Sequence, residues 1–192
     1  QYALLVLFLL SFRNELSVFE ITGKIATFGT ACGVFGINVG HELGHRAKKH
    51  EQILAKSLLL TSLYMHFFIE HNRGHHKYVA TKKDPATARF GEWLYYFWFR
   101  SIFTGYISAW KLEFQRLEKK GKRKFHYSNE MIHFLLIQTI LLLIIFVFFN
   151  WKILIFYLAS ALIGILLLET VNYIEHYGLM RSLKDDGTYQ SV

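Results

Sequence analysis

The sequence predicts an all-α integral membrane protein, a transmembrane helix bundle whose histidine-bearing helices sit on the cytoplasmic side. Three observations predict it. Hydrophobic residues make up 53% of the 192 and aromatic residues 17%, above the usual share of a water-soluble domain. The apolar residues come in long blocks rather than in the short alternations of a water-facing core. Polar clusters rich in histidine, such as "IEHNRGHHKYVA" at residues 69–80, fall where those blocks end.

The 192 residues read as one membrane domain, incomplete at both ends. Gln1 stands where an initiator Met would be, and the first apolar run, Tyr2–Phe12, is short of the ~20 residues that a bilayer crossing needs. That run also lacks the basic leader and small-residue cleavage site of a signal peptide. Cys32 is the lone cysteine, which excludes an internal disulfide and any CxxC-type iron–sulfur or rubredoxin centre within these residues.

Five apolar stretches follow: Phe19–Val39, Ile53–Ile69, Trp93–Trp110, Met131–Phe149 and Trp151–Val171. The last two are the clearest spans, each near ~20 residues with scarcely a charge, and "NWK" at 150–152 makes a tight turn between them. The segment Lys111–Lys124, with seven Lys or Arg in fourteen residues, precedes this hairpin on the opposite face, and positive-inside bias makes that face cytoplasmic. Ile53–Ile69 contains Lys56 and His66, and Trp93–Trp110 contains Arg100. If both crossed, the loop with Arg73, Lys77, Lys82, Lys83 and Arg89 would lie outside, against the charge rule, so both are read as embedded without spanning. The net charge of +8 is then mainly a topology signal, with anionic lipid or an acidic protein as secondary partners. It does not point to nucleic acid, because the basic residues alternate with apolar segments instead of forming a stripe.

Smaller signals refine this. Gly33, Gly36, Gly40 and Gly44 keep one side of a helix bare for close packing. "WLYYFWF" at 93–99 suits an interfacial aromatic belt. In "KKDPATAR", Asp84 stands where an N-cap belongs and Pro85 at a first helical position, so a helix is expected to start there. Asp84 equally suits support of a metal-binding imidazole.

The histidines carry the chemistry. "GHELGH" at 40–45 sets His41 and His45 four apart, on one helical face, able to share an ion. With Glu42 it also reads HExxH, the zinc protease signature. His71 and His75 repeat the spacing, and His76 is turned about 100° further round, toward a different ion from its neighbour. His176 closes the last apolar stretch, with Asn172 one turn and Glu169 two turns below it. Taken singly, each histidine is as well explained by a hydrogen-bonded helix end. As a set, His41, His45, His71, His75, His76 and His176 exceed the three protein ligands of a catalytic zinc, and two metals fit better than one. Imidazole alone does not choose among Fe, Cu, Ni and Zn. Glu42, Glu70 and Glu175 each precede one of these histidines and point about 100° away, as supports of a neighbouring imidazole rather than ligands. Glu169, an ionisable group deep in an apolar run, is either functional or paired with Asn172. His50, His66, His126 and His133 lack partners at ligand spacing.

The wording around these histidines, "NVGHELGHR", "EHNRGHHKYVATKKDPATAR" and "NYIEHYGLMR", closely resembles the bacterial alkane hydroxylase family, within the wider membrane fatty acid desaturase and hydroxylase superfamily. The resemblance covers Asn38–Arg181 with the three motifs in order. It implies a non-haem enzyme of the bacterial inner membrane with two Fe ions, using O2 to hydroxylate the terminal carbon of n-alkanes, with electrons from rubredoxin and rubredoxin reductase. A desaturase or a xylene-type side-chain monooxygenase on the same scaffold is the alternative, and a membrane zinc protease a distant one. Two departures stand out. Arg46 replaces a Lys frequent in the family, and the last histidine segment, expected after "HYG", is not reached before Val192. Six of nine expected histidine ligands are then present, and the chain as given is expected not to hold both irons in working geometry.

Overall fold

The computed structural model describes residues 1–12, 15–184 and 189–190. Among them the architecture is helical, with no strand beyond an isolated bridge between Leu183 and Tyr189. Helix α1 (Tyr2–Leu10) packs on α2 (Val18–Ala31) through stacked Phe8 and Phe28. Ser17 starts α2 with a capping box, its hydroxyl accepting from the Glu20 amide while the Glu20 carboxylate accepts from the Ser17 amide. A π-helical segment, Cys32–Asn38, then leads without a break into α3 (Val39–Gly44).

From there the chain folds back on itself. Helix α4 (Lys49–Leu60) runs antiparallel to the preceding segment, the chain turns at 61–66 with Leu63 at positive φ, and α5 (Phe67–Glu70) climbs back through a π turn (His71–His75) into α6 (His76–Tyr78). The expected stretch Ile53–Ile69 is thus two arms of a hairpin. With 12 residues, α4 is ~18 Å long, well short of a ~30 Å hydrocarbon core.

Helix α7 (Leu94–Lys119) outruns the expected Trp93–Trp110 and would be ~39 Å long. It lies across the bundle end rather than along the bundle. Its Trp98 indole bonds Thr170, its Ser108 hydroxyl bonds Glu70 and its Glu113 pairs with Arg73, three partners that all sit near histidines of one end. One side of α7 is bare, with Tyr96, Phe99, Phe103 and Ile107 exposed at helical spacing, while Phe97 faces inward. This divides the aromatic run 93–99 between belt and core.

Helices α8 (Glu130–Phe149) and α9 (Trp151–His176) form the expected hairpin, and they are the two helices among the described residues long and apolar enough to cross a membrane. Only 11% of the apolar window of α8 is buried, which is the behaviour of a lipid-facing helix and not of a soluble core. Asn129 Oδ1 caps α8, accepting from the amides of Met131 and Ile132, and Asn150 Oδ1 does the same for α9. Asn150 makes the tight turn at φ +102° and ψ 170°, a backbone region that residues other than Gly rarely adopt.

The glycines of 33–44 serve two partners instead of one bare side. Gly33 faces Leu167 and Gly164 of α9, whereas Gly36, Gly40 and Gly44 face the α4–α5 hairpin. The tightest approach to backbone is at Gly164, where an added Cβ would lie 2.7 Å from Cys32 Cβ and 2.9 Å from the Gly33 amide nitrogen. Backbone cannot yield as a flexible side chain does, so Gly164→Ala is expected to cost about 1–3 kcal/mol. Thermal unfolding in detergent checks this: an unchanged midpoint would show that the π-helical segment and α9 separate freely.

Candidate metal centre

The two histidine motifs meet because the hairpin returns the chain to the end of α3. His41 and His45 lie four apart, as expected, with Nε2 atoms 2.7 Å apart. His71 Nε2 stands 3.3 Å from His45 Nε2, and His76 Nε2 stands 3.0 Å from His71 Nε2. The π turn decides this second distance. In an α-helix the fifth residue onward stands about 140° away. The wider turn instead puts both neighbours beside His71, with His75 stacked 5.0 Å ring to ring and His76 at 4.6 Å.

His75 and His76 diverge, as their adjacency predicts. His75 turns toward His176, 4.9 Å ring to ring, and its Nδ1 donates to Asp84 Oδ2 at 3.0 Å, leaving Nε2 without a hydrogen-bond partner among the described residues. His176 Nδ1 donates to the carbonyl of Asn172 at 2.9 Å. The structure therefore brings His41, His45, His71 and His76 into one group, with His75 and His176 beside it.

This donor set suits metal. Imidazole nitrogens sharing one ion at ~2.1 Å from it stand about 3 Å apart, and one ligand atom from each of His41, His45 and His71 falls within a 4.8 Å span. Metal binding needs neutral imidazole. Burial, then the neighbouring His41 and His75, holds His71 far below the usual histidine range, and burial followed by His45 lowers His41. For His75, burial pushes down but the hydrogen bond and charge of Asp84 outweigh it, so its pKa is raised, as for an imidazole whose Nδ1–H is fixed by a carboxylate.

The expected supporting residues divide. Asp84 is buried and holds His75, but no helix starts at Pro85: residues 85–92 form turns and coil, and Asp84 Oδ1 caps only a local turn at the Ala86 amide. Glu42 lies 3.6 Å from His41 Nδ1 at the surface. Glu70 is buried against Gly74 and bonds Ser108, and burial pushes its pKa up to about 8. Glu169 accepts from Tyr64 at 2.8 Å, and Ser101 and the expected partner Asn172 lie beside the same carboxylate. Glu175 is exposed, with no hydrogen bond to an imidazole among the described residues, because its position on α9 faces outward. His66 is buried between Tyr64 and Tyr106, apart from the cluster.

One group went unread in the sequence. Glu113, fully buried, accepts from Arg73 at 2.8 Å, from Arg116 at 2.6 Å and from the Glu130 amide at 2.7 Å. Glu130 in turn bonds Arg73 at 3.0 Å and Lys56 at 2.8 Å. Since Arg73 lies between His71 and His75, this network ties the π turn to α7, α8 and α4. Its signal was an acid within the basic segment Lys111–Lys124, three residues before Arg116.

Two open spaces differ in their relation to the cluster, one beside it and one apart from it. A polar recess of about 450 Å³ is lined by His45, His76, Arg46 and Arg73, and an apolar groove of about 470 Å³ between α1 and α2, along Leu4, Leu7, Phe8 and Phe28, touches none of the histidines.

Residues 22–192 match the sequence model of the Fatty acid desaturase family. The chain belongs to that family. Its desaturase-family relatives include alkane 1-monooxygenase of Ectopseudomonas oleovorans, 41% identical over 177 residues, covering 92% of this chain and 44% of the relative. Alkane 1-monooxygenase 1 of Alcanivorax borkumensis is 40% identical with the same coverage of each. More distantly, the xylene/toluene monooxygenase hydroxylase component of Pseudomonas putida is 28% identical over 183 residues, covering 95% of this chain and 50% of the relative. The chain thus spans about half the length of the curated relatives it matches. Within this desaturase-family chain, the histidine cluster is a site that could hold metal.

Proposed function

We propose that the protein is a membrane non-haem di-iron monooxygenase that hydroxylates the terminal carbon of n-alkanes. The observation that carries the reading is the convergence of imidazoles from three separate segments, four of them with Nε2 atoms in successive contacts of 2.7, 3.3 and 3.0 Å. The likeness to alkane 1-monooxygenases supplies the substrate class. His41, His45, His71 and His76 would hold one iron and take part in the second site, which His75 and His176 face. Bound iron would supply dioxygen activation, with electrons from rubredoxin and its reductase. The chain's own residues would keep His41 and His71 neutral, fix the rings of His75 and His176 through Asp84 and the Asn172 carbonyl, and exclude water with a buried layer of Tyr64, Phe67, Phe68 and Ile69.

We place the 192 residues as one membrane domain of the bacterial inner membrane, with residues 19–39, α8 and α9 crossing and α4–α5 and α7 embedded. Arg46, Lys48, Lys77, Lys82, Lys83 and the basic run after α7 share the histidine end, which supports a cytoplasmic active site. Side-chain oxidation of an aromatic substrate is the second reading, favoured by the xylene/toluene relative. Metal analysis and a product assay decide. About two Fe per chain and 1-octanol from octane are expected in the intact protein. A single Zn defeats the oxygenase reading, and methyl oxidation of xylene without octane turnover moves the assignment to the alternative.

A further inference from the structure

Arg100 enters the sequence as an obstacle, a cation inside an embedded aromatic helix. In the structure it is nearly buried and four of its N–H contacts are directed. Nε donates to Glu92 Oε1 at 2.6 Å and Nη2 to Glu92 Oε2 at 2.8 Å, a two-point ion pair. Nη1 donates to the Pro85 carbonyl at 2.9 Å, and Nη2 also reaches the Thr87 carbonyl at 3.0 Å. These carbonyls belong to residues 85–92, which have no helix or sheet to satisfy them. A planar guanidinium with several fixed donors does what regular structure would otherwise do. It also explains why Pro85 does not begin a helix: the loop is pinned in another shape.

The pinned loop ends on the metal centre. Thr87 accepts from Arg100 through its carbonyl, and its hydroxyl donates to Asp84 Oδ2, the same oxygen that accepts from His75 Nδ1. The Thr87 hydroxyl also accepts from the Ala80 amide, closing the loop on the end of α6. Three successive bonds therefore lead from α7 to His75.

Resting on the di-iron reading, we propose that Arg100, clamped by Glu92 and acting through Thr87, positions Asp84 against His75 and so fixes the orientation in which His75 Nε2 meets metal. Arg100 is a positioning residue, touching neither metal nor substrate. Removing Arg100 alone would leave the buried Glu92 carboxylate, which also accepts from the Arg89 amide, without its ion-pair partner, so the paired variant Glu92→Met/Arg100→Met is the first test. Thr87→Val, nearly equal in size, breaks the next link without touching a charge. Amide exchange over residues 79–92 is measured in the metal-free intact protein, and affinity is measured by Co2+ titration. Both variants are expected to exchange faster in this loop and to bind Co2+ about 10–100-fold more weakly. Because both act through one chain of bonds, the combined variant should be no weaker than the weaker of the two. Unchanged loop exchange, parental Co2+ affinity, or losses that multiply would each overturn the proposal. If the unsubstituted protein takes up no metal, the di-iron reading fails by itself, and loop exchange still decides the role of Arg100: faster supports it, unchanged refutes it.

Discussion

His71→Ala is expected to abolish the centre as a metal site. Its Nε2 stands 3.3 Å from that of His45 and 3.0 Å from that of His76, so it joins the imidazoles of α3 to those beyond the π turn. Without it, the α3 pair and His76 lose their common neighbour, and its neighbours in the π turn are otherwise engaged: Asn72 bonds the Phe68 carbonyl, Arg73 is held by Glu113 and Glu130, and His75 is held by Asp84 and faces His176. Supporting residues of metal sites typically cost 10–100-fold in affinity or activity, and loss of a ligand at this position should exceed about 100-fold. Iron content and octane hydroxylation in membranes measure it, with His133→Ala, outside the cluster, as the comparison. Retained iron and turnover in the His71 variant would remove this residue from the centre and with it the grouping described above.

Glu113→Leu is expected to be the most destabilising single change outside the histidines. It leaves Arg116 without a counter-charge, Arg73 with Glu130 as its remaining partner, and the Glu130 amide without an acceptor. Breaking a buried pair from one side costs about 3–5 kcal/mol. Burial pushes the Glu113 carboxyl up, but Arg116, the Glu130 amide and Arg73 outweigh it, so its folded pKa lies below the ordinary value. A depressed carboxylate contributes stability above the unfolded pKa, near 4.3, and loses it as pH falls through the folded value. Unfolding midpoints in detergent should therefore drop for the variant at pH 7, and the difference from the parent should shrink as the pH falls below about 4. An equal gap at both pH values would mean that the charge network contributes nothing.

What the sequence made legible was periodicity and punctuation. The His41/His45 spacing, the turn at Asn150 and the two long apolar stretches follow directly from residues read at helical intervals. Three features did not. The π turn at 71–75 leaves no residue-type signature; it shows in Gly74, where an added Cβ would lie 2.6 Å from Glu70 Oε1 and 2.9 Å from Leu112 Cδ1. The break at 61–66 is hidden because Thr, Ser, Leu and Tyr all suit an apolar helix, and tertiary contacts such as Tyr157 to the Thr61 carbonyl at 3.0 Å hold the turn instead. Charged residues were the third loss. Arg73 and Arg100 are read by sidedness when only composition is available, whereas their pairings with Glu113 and Glu92 join positions 40 and 8 residues apart. The cap signal at Asp84 misled for a related reason: a carboxylate that can start a helix can equally orient an imidazole, and burial beside His75 decided between them.

The wide winding at residues 71–75 also limits what can be transplanted. Copied into a designed helix of ordinary pitch, the letters HNRGHH would align two imidazoles and swing the third round to the far side. A graft of this motif must carry its surroundings too, including the small residue at 74 and the arginine anchor at 73.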